Sequence, residues 1–183
     1  ILVIMLAIFG YVIYEEFNKK NKIKLANRYN IVKMHFISGN KSMVANELVS
    51  IVHEKDRTYS SLALYFLIDN NIISDKNKIN ELFDTVINET SLEKEIKNLL
   101  IYKKALFNSD FESENNLLTI LKPIINSNSI WKSHALYLMA EYFYFKNEKQ
   151  KSKDFFEQII TLENVNSKIK RETQKRLNRD FSE

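Results

Sequence analysis

Residues 131–156 read WKSHALYLMAEYFYFKNEKQKSKDFF, and the architecture of the chain can be worked out from them. The first part sets Leu136, Met139, Ala140 and Phe143 at helical spacing. A polar break, Lys146-Asn147-Glu148, interrupts it, and a second helical pattern follows with Ser152 and Phe156 on its apolar side. Small residues at 140 and 152 let two helices approach closely, while Phe143 and Phe156 fill the groove between them. The stretch predicts a helical hairpin.

Working outward, the same kind of stripe recurs. Ile79, Leu82, Phe83, Val86 and Ile87 keep the spacing of a helix with one buried face, and so do Val44, Leu48, Ile51, Val52 and Leu117, Leu121, Ile124, Ile125. Polar breaks lie at Ser38-Gly39-Asn40, Ser74-Asp75 and Asn108-Ser109-Asp110. With Gly39, Asp75, Ser109 and Asn147 as equivalent turn positions, the steps are 36, 34 and 38 residues, close to the roughly 34-residue period of tetratricopeptide repeats. The quoted hairpin also follows that repeat's spacing of small and aromatic residues. Elsewhere the small positions are large, as at Ile68 and Glu114, so a generic array of helical hairpins stays open as the alternative. Thr90 with Glu93 and Ser109 with Glu112 have the spacing of capping boxes and are expected to start helices. Pro123 is expected to end or kink its helix.

Composition supports an all-α chain. Its 183 residues contain two glycines and one proline, the residues that most penalise helix interiors. Gly10 and Gly39 lie too far apart for a glycine-rich phosphate loop, a dinucleotide fingerprint or a glycine-flanked nucleophile elbow. Without cysteine there is neither a disulfide nor a thiolate zinc site. His35, His53 and His134 have no second ligand one helical turn away, and Arg57 stands where a zinc-protease helix starting at His53-Glu54 needs its second histidine. We assign no catalytic residue, no metal and no cofactor. The net charge of +4 comes from bases gathered in Lys19–Lys41 and Lys168–Arg179, not interleaved with stacking aromatics on one recognition element, which argues against nucleic acid.

The N-terminal run Ile1–Tyr14, ILVIMLAIFGYVIY, is uninterruptedly apolar. At helical rise it covers about 21 Å of a hydrocarbon core of about 30 Å. Because it opens on isoleucine, it is expected to be the end of a longer transmembrane anchor, with Tyr11 and Tyr14 at the interface. A cleaved signal peptide would need a small-residue cleavage site, which does not follow; a buried soluble helix is the other alternative. The expected organisation is an incomplete anchor at 1–14, a helical stem at 15–24 and a repeat domain at 25–183 closed by a capping helix, Ser167–Asn178. Lys19, Lys20, Lys22, Lys24 and Arg28 would by charge bias place the following domain in the cytoplasm.

In stacked helix pairs the first helix of each pair lines the concave face. Counting back from the turn positions nominates Tyr29, Lys33, Tyr65, Asp69, Lys103, Tyr137, Glu141 and Tyr144 as partner-binding residues. These tyrosines serve either packing or ligand contact, and the sequence leaves both open. Trp131 is expected to cover the junction with the preceding repeat.

An apolar anchor, a stem running to Ile37, the segments Tyr59-Ser-Ser-Leu-Ala-Leu64 and Trp131-Lys-Ser-His-Ala-Leu-Tyr-Leu-Met-Ala140, the turn Lys146–Lys149 and a final helix together resemble the YfgM-like ancillary subunits of the SecYEG translocon. Their tetratricopeptide-like domain is shared with the cell division coordinator CpoB. The resemblance implies a single-pass protein of the bacterial inner membrane. Its periplasmic C-terminal domain, against the charge bias, would contact the translocon and periplasmic chaperones as a non-enzymatic interaction module with no small-molecule substrate. A cell-division or envelope-assembly coordinator is the alternative, although no sustained heptad repeat for self-association is present.

Overall fold

The computed structural model describes residues 2–181, without the side chains of Leu2, Ala7, Lys41 and Ser42. The first residue of the expected anchor and the last two of the expected repeat domain therefore lie outside the described residues. Among the described residues the backbone forms nine α-helices: α1 (Leu2–Ile37), α2 (Lys41–His53), α3 (Tyr59–Asp69), α4 (Lys76–Glu89), α5 (Lys94–Asn108), α6 (Glu114–Ile125), α7 (Lys132–Phe145), α8 (Lys149–Ile160) and α9 (Ser167–Asp180). They divide into two compact units, residues 1–91 with α1–α4 and residues 92–183 with α5–α9. The boundary falls inside the span expected as one repeat domain.

Each unit is built from helical hairpins packed in the manner of a helical solenoid. In the first, α2 packs on α1, α3 and α4, and α1 also meets α3. In the second, α7 packs on α5, α6, α8 and α9. The second helices of the hairpins begin at Lys41, Lys76, Glu114 and Lys149, steps of 35, 38 and 35 residues. The stripes read from the sequence form the cores: Val44, Leu48, Ile51 and Val52 of α2 and Ile79, Leu82, Phe83, Val86 and Ile87 of α4 are buried, as are Leu117, Leu121 and Ile124 of α6.

The turns show how one helix hands over to the next. Gly39 closes α1 in the left-handed region, at φ +90°, with its N–H on the Phe36 carbonyl at 3.1 Å. Asn71 (φ 48°) and Asn147 (φ 62°) do the same after α3 and α7. Asp75 caps the next helix instead: its Oδ1 accepts from the Asn77 and Lys78 N–H groups at 2.9 and 3.2 Å. Both expected capping boxes are corrected. Ser109 sits at the C-terminus of α5 and donates its hydroxyl to the Leu106 carbonyl at 2.8 Å, and Ser113 caps α6. Thr90 follows the end of α4 with its hydroxyl buried, and α5 begins after Glu93 without a side-chain cap. In both cases the preceding helix claims the Ser or Thr. Pro123 lies within α6, which ends two residues later at Ile125.

α1 is one unbroken helix of 36 residues, about 54 Å long. Its apolar start is exposed all round: Val3–Leu6, Ile8, Phe9, Tyr11–Tyr14 and Phe17 are all open. Leu25 and Val32 are the points at which it enters the core. The expected transmembrane helix is not found, because no helix among the described residues is long and apolar enough to cross a membrane. Glu15 and Glu16 end the apolar stretch and Lys19, Lys20 and Lys22 follow.

The α7–α8 hairpin has the close approach its sequence implies. Ser152 and Ala140 are fully buried, and the Ser152 hydroxyl donates to the Ala140 carbonyl at 2.8 Å. Phe143 stacks on Phe155 with centroids 5.4 Å apart, and Phe156 meets Tyr137 edge-on at 5.5 Å. Replacing Ser152 by Ala should lose the hydrogen bond alone, about 0.5–1.5 kcal/mol. Ser152→Leu should cost about 1–3 kcal/mol more by forcing the helices apart. Urea denaturation midpoints would measure both; equal losses would show that close approach does not set this packing.

Candidate binding faces

In the first unit, Tyr29, Lys33 and Phe36 share one face of α1 through their spacing of four and three residues. Tyr59, Leu62, Phe66 and Asp69 share one face of α3 in the same way. Packing of α1 on α3 joins them into an aromatic strip. Tyr29 lies 6.0 Å from Tyr59 and 6.2 Å from Phe66, and Phe36 meets Phe66 edge-on at 5.2 Å. The strip carries charge at its border: the Lys33 ammonium lies 5.8 Å from the centre of the Tyr29 ring, and Asp69 is exposed. Burial first and the Asp69 carboxylate second raise the Tyr29 hydroxyl above its ordinary pKa. The same two causes push Tyr65 up to about 12. The structure thus sets Lys33 over Tyr29 and places the Asp69 carboxylate where it acts on both Tyr29 and Tyr65. It adds Phe36, Tyr59 and Phe66, which the sequence reading missed although their same-face spacing was available to find them.

The second unit arranges its nominated residues differently. Tyr137, Glu141 and Tyr144 lie on one face of α7, and α9 covers that face. Arg176 of α9 grips Glu141 with two hydrogen bonds, Nε to Oε1 at 2.8 Å and Nη2 to Oε2 at 3.0 Å. Its guanidinium lies 4.2 Å from the centre of the Tyr144 ring, and Asp180 holds its remaining nitrogen at 2.6 Å. Phe181 meets both Tyr144 and Phe156 at 5.9 Å. Tyr137 is raised to about 12, by burial first and then by the carboxylate of Glu141, to which it is hydrogen-bonded. These three residues therefore hold the chain's own last helix rather than line an open groove. No local signal announces this, because Arg176 and Glu141 are 35 residues apart.

Lys103 is half-buried on α5. On the same helix Tyr102 stacks on Trp131 at 6.0 Å and 18° and meets His134 edge-on at 5.8 Å, and Phe107 meets Phe111 edge-on at 5.6 Å. Trp131 donates its indole N–H to the Glu95 carbonyl at 3.1 Å, so it does tie α7 to the preceding hairpin. Burial holds the His134 imidazole below its usual pKa. Among the described residues no group of three or more His, Cys, Asp or Glu side chains is placed to hold a metal ion.

Compared with family profiles, curated proteins and solved structures, the chain matches none of them.

Two measurements test these faces. Arg176→Ala should remove hydrogen bonds to a charged group worth about 1.5–3 kcal/mol, so amide exchange in α9 should quicken by roughly ten- to a hundredfold; unchanged exchange would show that α9 is held by its apolar contacts alone. Tyrosine absorbance should show Tyr65 and Tyr137 ionising near pH 12. Because their folded pKa values are raised, their contribution to stability is complete below the ordinary tyrosine value of about 10 and is lost as pH climbs toward 12. Tyr137→Phe should remove one of these late steps.

Proposed function

We propose that the chain is a membrane-anchored, tetratricopeptide-like interaction module, non-enzymatic, whose first-unit aromatic strip receives segments of partner proteins. The observation that carries this reading is the continuity of α1. One unbroken helix bears the exposed apolar run Val3–Tyr14 at one end and the Tyr29–Lys33–Phe36 wall of the strip at the other. A rigid stem of this kind presents the strip at a set distance from whatever buries the apolar end. Tethering raises the effective concentration of weakly bound partners without any new interface. Half-buried tyrosine and phenylalanine offer rigid contact area for an extended or helical peptide, and Lys33 and Asp69 at the border favour segments that carry both signs of charge.

The resemblance to YfgM-like proteins supplies the partners and the place. We propose the SecYEG translocon and periplasmic chaperones as partners, at the bacterial inner membrane, with a single span and the C-terminal domain in the periplasm.

Photocrosslinkers at positions 33, 62 and 69, in cells, should yield adducts with translocon subunits or periplasmic chaperones. Positions 137 and 141, which face α9, should yield far fewer. Recovery of neither class of partner would overturn the function. Protease added after the outer membrane is opened should digest the C-terminal domain, and full protection would overturn the orientation.

A further inference from the structure

A cleft of about 560 Å³ lies in the first unit, between one face of α1 and the α2–α3 loop. The α1 side begins at Tyr14, the last residue of the apolar run, and continues through Asn18, Lys22 and Lys24 to Arg28. The loop side brings Glu54, Lys55, Asp56 and Arg57. The lining thus holds five cations and two carboxylates.

Both carboxylates are already engaged. Glu54 binds the Arg28 guanidinium at 2.5 Å, and Arg28 also holds Glu47 at 2.7 Å. Asp56 accepts the Thr58 and Tyr59 N–H groups at 2.9 and 2.8 Å, which starts α3. Lys55 is paired as well, with Glu89 at 2.6 Å. That leaves Lys22, Lys24 and Arg57, all exposed and without an ion pair among the described residues, around one concave surface.

Position narrows the ligand. Lys22 lies about 12 Å beyond Tyr14 along the helix axis. Helical side chains lean toward the N-terminus, and a lysine extends its ammonium further along an apolar surface. Where Tyr14 marks the edge of the hydrocarbon, these cations meet the phosphate layer. Arg57 supplies a planar fork suited to phosphate oxygens, and the two lysines act as point charges. We infer that this cleft receives the phosphate of an anionic phospholipid headgroup, bound by Lys22, Lys24 and Arg57. The inference rests on the proposed membrane anchoring.

The test uses the full chain with vesicles of phosphatidylcholine alone and with phosphatidylglycerol added, followed by native mass spectrometry of the lipids retained. The chain should float with both vesicles and retain phosphatidylglycerol preferentially. Each cation near an anionic surface is worth about fivefold in binding, so the combined change Lys22→Gln, Lys24→Gln and Arg57→Gln should lower that preference by about a hundredfold while leaving flotation with phosphatidylcholine intact. Circular dichroism checks that the variant keeps its helices. Lys19→Gln with Lys20→Gln, outside the cleft, should weaken vesicle binding only by the same roughly fivefold per charge and leave the phosphatidylglycerol retained in native mass spectrometry unchanged; an equal loss of retained lipid would overturn the site. Inorganic phosphate at matched ionic strength should not abolish the preference, and abolition would assign the cleft to free phosphate and overturn the lipid reading. Flotation on both vesicles without headgroup preference would overturn the cleft alone. Flotation only on phosphatidylglycerol, lost in the triple variant, would overturn the anchor and leave the headgroup site standing; no flotation at all would overturn both.

Discussion

Every helical hairpin in this chain has an apolar stripe that it cannot bury by itself. That constraint shapes each unit. α2 is covered on three sides, by α1, α3 and α4, which is why its stripe Val44, Leu48, Ile51 and Val52 is almost wholly removed from water. α7 plays the same part in the second unit, with Leu136, Met139, Ala140 and Phe143 buried against its neighbours. Contact this dense needs small residues where helices cross. Ser152 meets that need and satisfies its own hydroxyl on the Ala140 carbonyl, so close approach costs no orphaned donor there.

The stripe of the last hairpin would face water without a further helix, and α9 covers it. α9 does so with a thin apolar edge: Thr173 is its fully buried residue, while Ile169, Leu177 and Phe181 rest on the cluster of Leu136, Ala140, Phe156 and Ile159. Much of its placement falls to Arg176, whose flat guanidinium stacks on Tyr144 while its nitrogens reach Glu141 and Asp180. The same chemistry that would make Tyr137, Glu141 and Tyr144 a good peptide-binding surface makes them the seat of the chain's own helix.

α1 poses the opposite problem. Its first turns expose apolar side chains on every side, so no single neighbouring face could bury them. The polar residues that follow are arranged with equal consequence. Arg28 is neutralised by Glu47 and Glu54, and Lys55 by Glu89, whereas Lys22, Lys24 and Arg57 have no ion pair among the described residues. Charge therefore collects on the α1 face nearest the apolar end, beside the loop that α2 delivers there.

Much of this was legible in the amino-acid order. Helical periodicity, the polar breaks, the scarcity of glycine and proline, the turn positions at Gly39 and Asn147 and the tight crossing at Ala140 and Ser152 all depend on residues a few positions apart, and local spacing determines them. The binding residues were legible only in part. Lys33 lies over Tyr29, and Asp69 acts on both Tyr29 and Tyr65, but the strip itself is made by Phe36, Tyr59 and Phe66 with Tyr29. Whether an aromatic face stays accessible or is covered depends on which distant helix lies over it, and so does whether a Ser or Thr caps the helix after it or ends the one before. The covering of Tyr137, Glu141 and Tyr144 by α9, the Arg176 clamp and the basic cleft between α1 and the α2–α3 loop were decided by tertiary structure alone, because each joins residues that only the packing of whole helices makes neighbours.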